Sequence, residues 1–323
     1  MHHFQQIADV FYEGHLNFFY GNFYWGFLVE LFFIISGYFT YSYAISEKKT
    51  TFASFYWKKH RRFLPLLILT GLVGIAVKWV IARGNGTQLR FEMVPCLAGL
   101  LGFSHWFSEA ILFNNPTWYI SVLLLCYVVF WLVDRVAQKT GIHFTVVYTA
   151  VMVWGLTMYH VCDAHGPYGL PLFSKSIGRG LFCFFWGLVL RHILVRFGLC
   201  DRKWFVLGCG GYLVGFVVWY VNQTAYTSYD LYGLLCLTVF PCVLVLFKSG
   251  PVAKLCQANW TSRLGNISYH AFMWHAPLLM FVNWVFQRAG GALVHIASMY
   301  GCMALCIAAG CVSAAVAGWP RKK

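Results

Sequence analysis

Two histidines stand at the start of the chain, His2 and His3. An imidazole takes and returns a proton near neutral pH, so either is a candidate general base. The plainer alternative is a cut end or the remnant of a tag. Glu30 lies within Val29-Glu30-Leu31-Phe32-Phe33-Ile34-Ile35-Ser36-Gly37-Tyr38. A carboxylate in so apolar a stretch is costly to bury and marks a functional site by default. Its plainer role is a pair with Lys or Arg near the outer interface. Arg179 opens the apolar run at 177–195 and needs a carboxylate or a ligand of its own, so Glu30 is its candidate partner. Ser36-Gly37 reads as a helix-packing notch rather than a nucleophile, because nothing around it has the form Gly-x-Ser-x-Gly.

A third group is basic. Lys58-Lys59-His60-Arg61-Arg62 precedes Phe63-Leu64-Pro65, and Pro65 suits the first turn of a helix. The cluster serves either as a positive anchor on anionic lipid heads or as an anion site. Lys59 and Arg62 are three apart, so they share a helix face and could clamp a phosphate, with Arg61 beside them. His270 and His275 are five apart, which takes them off one helix face and argues against a two-histidine metal site. His275 reads as a core histidine bonded to a neighbour. The twelve cysteines include no Cys-x-x-Cys and fall mostly in apolar runs, where a thiol acts as a small hydrophobe. No metal site is expected.

The elements that must carry these residues follow from composition. Of the 323 residues, 60% are hydrophobic and 11% charged. Soluble domains run at about 45–50% and about 25%. A soluble enzyme, a disordered chain, a coiled coil and collagen are all excluded, leaving a polytopic membrane protein. Apolar runs lie at about 23–45, 63–82, 117–133, 144–161, 177–195, 204–221, 231–247, 264–286 and 295–317, each near the length of a helical span. They are apolar on every side, unlike the alternating strands of a membrane β-barrel. The segment 91–113, broken by Pro95, His105 and Glu109, reads as an interfacial or re-entrant piece. The fold expected is an all-α transmembrane bundle of nine full spans plus a partial first helix, in one domain over 1–323.

The net charge is +14, from 24 basic and 10 acidic residues. If the run at 23–45 goes from outside to inside, only Lys78, Arg83, Arg90, Lys175, Arg179 and Arg288 of the 24 fall on the outer side. That asymmetry follows the positive-inside rule and puts the C-terminus in the cytoplasm. The excess charge then speaks for membrane lipid and not for nucleic acid.

Five stretches together resemble acyltransferase family 3, the bacterial membrane O-acyltransferases. Val29–Tyr38 is similar to that family's "acidic-x-Phe-Phe-x-x-Ser-Gly" helix, and Lys59-x-x-Arg62-x-x-Pro65 to its "Arg-x-x-Arg-x-x-Pro", with Lys for the first Arg. Trp118-Tyr119-Ile120-Ser121 resembles "Trp-Tyr-Leu-Ser". Arg179 with Phe185 and Gly187 resembles "Arg…Phe-x-x-Gly", with one residue fewer between Phe185 and Gly187. Leu264-Gly265-Asn266-Ile267-Ser268-Tyr269 with Trp274-His275 resembles "Leu-Gly-x-Ile-Ser-Tyr…Trp-His".

The resemblance implies ten helices and a bacterial cytoplasmic membrane. It also implies transfer of an acyl group, usually acetyl, from cytoplasmic acyl-CoA to a hydroxyl of a carbohydrate or glycolipid at the outer face. No bound cofactor is implied; acyl-CoA is a substrate. His2 or His3 falls where the family carries its catalytic histidine. Lys59, Arg62 and Arg61 would bind the donor, and Glu30, Arg179 and His275 would support the site. Ala315-Val316-Ala317-Gly318-Trp319-Pro320 lacks the Glu-Pro that often closes the family's last helix, and the first helix is short. The expectation is therefore a fragment, which would be inactive although the full protein is an enzyme. The rival reading is a transporter or glycan exporter. Inverted repeats and broken midplane helices, which would favour it, are not evident in the sequence.

Overall fold

The computed structural model describes residues 27–47, 49–89, 92–107, 114–166, 170–222, 232–286 and 292–318. Among them every regular element is helical. In chain order the helices are α1 (Leu28–Ala44), α2 (Phe52–Gly84), α3 (Met93–Leu101), α4 (Ser104–Phe107), α5 (Trp118–Thr140), α6 (Phe144–His165), α7 (Lys175–Arg196), α8 (Lys203–Val221), α9 (Tyr232–Lys248), α10 (Gly250–Gln257), α11 (Asn259–Phe286) and α12 (Ala292–Gly318).

Six of the described helices are long and apolar enough to cross a membrane: α2, α5 with the turn before it, α6, α7, α8 and most of α12. Two of the nine expected runs, α1 and α9, form shorter apolar helices. The run at 264–286 becomes the 28-residue α11. The described residues thus form an all-helical fold, that of a multi-pass membrane protein.

One boundary differs from the sequence expectation. Pro65 does not begin a helix; α2 starts at Phe52, thirteen residues before it. Thr51 supplies the start, its Oγ1 accepting from the Ser54 amide at 3.4 Å. Lys and Arg are good helix formers, so the helix runs through the basic cluster before hydropathy rises. The edge of the apolar run marked a change of environment, not the end of a helix.

The described residues group into two compact units, one from 27–57 and 122–258, the other from 58–121 and 259–318. In the first unit α7 lies parallel to α1 at backbone contact. A Cβ on Gly37 would sit 1.9 Å from the Phe184 carbonyl oxygen, and one on Gly187 would sit 2.1 Å from that of Ile34. Gly37 is therefore the packing notch that Ser36-Gly37 suggested. Glycines also admit α6 to α7, where Cβ atoms on Gly155 and Gly178 would stand 2.5 and 2.6 Å from the amide nitrogens of Phe182 and Tyr159. Phe33, Phe130, Tyr148, Phe184 and Phe185 fill the core between these helices.

In the second unit α11 pairs with α12. Leu279 and Val282 pack with Met299, Cys302 and Cys306. His270 Nδ1 and Trp274 Nε1 both reach Ser313 Oγ, at 2.8 and 3.2 Å. Pro277 within α11 has no N–H for the carbonyl of Met273, four residues back. Asn114 Nδ2 donates to that carbonyl at 2.9 Å, and to Thr70 Oγ1 at 3.0 Å. A freed backbone oxygen in an apolar setting thus finds a side-chain donor.

Candidate functional site

The first unit holds a buried acid–base pair. Ser174 caps α7, its Oγ accepting from the Ile177 amide at 3.3 Å, and this places Arg179 in the second turn. Glu30 lies in the first turn of α1. Because the two helices run parallel, their early turns meet. Arg179 Nε donates to Glu30 Oε1 at 2.5 Å. The Glu30 side chain is wholly buried, while that of Arg179 keeps 16% of its surface.

Glu30 Oε2 has no hydrogen-bond partner among the described residues. A buried carboxylate oxygen left bare is costly, and its natural complement is an N–H or O–H donor. Such an oxygen can fix an imidazole tautomer or hold a hydroxyl. Beside the pair, Tyr232 is buried with its ring stacked on Tyr159 (centroids 4.5 Å apart) and tilted on Phe27 (5.5 Å). Its hydroxyl lies 3.8 Å from Cys183 Sγ.

The other unit carries the basic cluster. Arg61 and Arg62 are exposed and Lys59 is half-buried. His60 between them is buried. Its Nε2–H donates to the Leu101 carbonyl at 2.9 Å, and its ring lies 5.5 Å from that of Phe103. This bond ties α2 to the end of α3 and fixes the rotation of α2 about its axis, which sends Arg61 and Arg62 outward. In α11, His275 is half-buried, and its Nδ1–H donates to the Phe272 carbonyl. His2 and His3 lie outside the described residues.

Two features were not foreseen from the sequence. Asp134 is buried at the far end of α5, where Oδ2 accepts from Lys49 Nζ (3.1 Å) and Gln138 Nε2 (2.7 Å), and Oδ1 accepts from the Tyr148 hydroxyl (2.9 Å). Lys49 also donates to the carbonyls of Tyr43 and Ala44, so it closes the last turn of α1. Asp134 follows directly on the apolar run at 117–133 and precedes Arg135, and nothing in the sequence singles it out. His105, in the short α4 outside the six spanning helices, is the second. Burial pushes its imidazole down to about 4. Among the described residues no three His, Cys, Asp or Glu side chains gather as a metal site would require.

A multi-pass helical membrane protein with a buried carboxylate–guanidinium pair and a basic helix segment fits the class of integral-membrane acyltransferases. The family described as "Acyltransferase domain" matches residues 1–316, and the chain belongs to that family. It is also similar to a protein of Komagataeibacter xylinus named "Putative membrane-bound transacylase BcsY", with 23% identity over 297 residues, covering 86% of this chain and 71% of the relative. No solved structure matches the chain.

Proposed function

We propose that this acyltransferase moves an acyl group, acetyl in the simplest case, from cytoplasmic acyl-CoA to a hydroxyl of a cell-surface carbohydrate or glycolipid. Transfer takes place at the outer face of a bacterial cytoplasmic membrane, and the C-terminus stays in the cytoplasm. One membrane domain over 1–323 carries the reaction. His2 or His3 is the general base. It takes the proton of the acceptor hydroxyl as that oxygen attacks the thioester carbonyl. The C–S bond breaks, an ester forms, and the CoA sulfur leaves with the proton the histidine holds.

The observation that carries this reading is the wholly buried Glu30, held on one oxygen by Arg179 and without a partner on the other among the described residues. A carboxylate is kept in such a place at a cost, and orienting the base or the acceptor hydroxyl offsets it. Lys59, Arg62 and Arg61 supply cations for the phosphates of the donor, and His275 supports the site. The test supplies labelled acetyl-CoA to membranes carrying the full-length protein and follows label into carbohydrate. Label transfer is expected, and Arg62→Ala should raise the apparent KM for acetyl-CoA. An unchanged KM would sink the donor assignment. No transfer, with glycan export dependent on the protein instead, would sink the reaction.

A further inference from the structure

A second cluster lies at the opposite end of α1 and α7 from the Glu30–Arg179 pair. Arg191 follows Arg179 by twelve residues, about 18 Å along a helix. Its guanidinium carbon stands 4.8 Å from the centroid of the Tyr38 ring and 5.9 Å from that of Tyr41. One of its N–H groups donates to the Tyr38 carbonyl at 3.1 Å. Lys248, the last residue of α9, brings Nζ to 5.8 Å from the same Tyr38 ring and 5.3 Å from that of Phe39. Two cations from different helices therefore share one aromatic ring.

Attraction to the ring favours each cation singly. It does nothing for their mutual repulsion, which is an argument for an anion between them. Among the described residues neither cation forms an ion pair, and Asp201 on the neighbouring turn does not pair with them. Lys248 is exposed and its ammonium donates no hydrogen bond among the described residues. Arg191 is half-buried, anchored through one N–H, with most of its donors still to be used. Tyr38 itself is 5% exposed and cannot swing away, so the ring is a fixed floor.

We propose that Arg191 and Lys248, both held at the Tyr38 ring, form a phosphate site. A phosphate group has the charge and the several acceptor oxygens to bridge a guanidinium fork and an ammonium. The group belongs either to an anionic phospholipid headgroup or to a soluble phosphate ester. The site lies about 18 Å along α7 from Arg179, so the proposal does not depend on the Glu30–Arg179 pair; only the soluble-ester outcome would touch the donor.

The experiment uses the full chain in nanodiscs. One arm contains phosphatidylglycerol in phosphatidylcholine, and native mass spectrometry reads the phosphatidylglycerol retained. The other arm is phosphatidylcholine alone, titrated with coenzyme A by calorimetry. For one of the two ligands Lys248→Gln should weaken binding about fivefold, the loss expected of one cation at a membrane surface. Lys248→Arg should bind as the wild type does. Arg191→Gln should weaken the same ligand, and if it loosens α1, Lys248→Gln decides alone because its ammonium donates no hydrogen bond among the described residues and touches the fold only at the Tyr38 and Phe39 rings. Weakened phosphatidylglycerol names a lipid site and weakened coenzyme A a soluble-ester site. If Lys248→Gln retains both ligands like the wild type, the proposal is wrong.

Discussion

Removing the guanidinium of Arg179 should expose what the buried pair is worth. In Arg179→Gln, Glu30 Oε1 loses its 2.5 Å donor, and Oε2 already has none among the described residues. A carboxylate with no exposed surface would then be left uncompensated. Breaking a buried pair in this way costs about 3–5 kcal/mol, a large share of the roughly 5–15 kcal/mol that holds a folded protein together. Glu30→Gln on the same background removes the charge that was stranded, so the double variant should recover more than half of the loss. The assay is thermal unfolding in nanodiscs at pH 7 for the wild type, both single variants and the double variant. The cycle should give a coupling of about 2 kcal/mol or more. If Arg179→Gln unfolds with the wild type, or if the two losses simply add, Glu30 is not held by Arg179 and the site must be redrawn.

The close approach of α1 and α7 predicts that Gly187→Ala, whose Cβ would meet the Ile34 carbonyl oxygen at 2.1 Å, lowers stability by about 1–3 kcal/mol or more. Gly208→Ala, where a Cβ has open space around it, should not lower it, and equal losses at both positions would refute the contact. Asn114→Ala should cost about 1–3 kcal/mol by leaving the Met273 carbonyl and the Thr70 hydroxyl without their donor. Pro277→Ala on that background restores an N–H to Met273 and should recover part of the loss; no recovery would contradict the assignment. His105, held down to about 4, stays neutral in the fold at a pH where the unfolded imidazole, near its ordinary 6.5, gains a proton. Its contribution is full above about 6.5 and is lost as pH falls toward 4, so the wild-type melting temperature should drop from pH 7.5 to 5. His105→Asn should flatten that drop, and an unchanged drop would show that His105 is not its source.

Much of the architecture was legible because a membrane demands long apolar runs, and six of the described helices met that demand. The pairing of Glu30 with Arg179 was legible too, since each is a costly group that calls for the other. The start of α2 was not, because hydropathy tracks the solvent around a helix while Thr51 and backbone bonding set where it begins. Asp134 was missed for a related reason. Sequence position put it among the charges at a span end, and only the fold turns it inward to Lys49, Gln138 and Tyr148. The two cations over Tyr38 were hidden by distance, since 57 residues separate Arg191 from Lys248. The positions of His2 and His3 fall outside the described residues, so their role rests on the family pattern and on chemistry.

The general base is the point on which the proposed reaction turns. Initial rates of labelled acetyl transfer should be compared in membranes carrying equal amounts of the full-length protein with and without His2→Ala and His3→Ala together. A positioned base contributes about 10²–10⁴-fold, so the double variant should fall by that factor while still folding and still binding acetyl-CoA. A rate equal to the wild type would contradict the account.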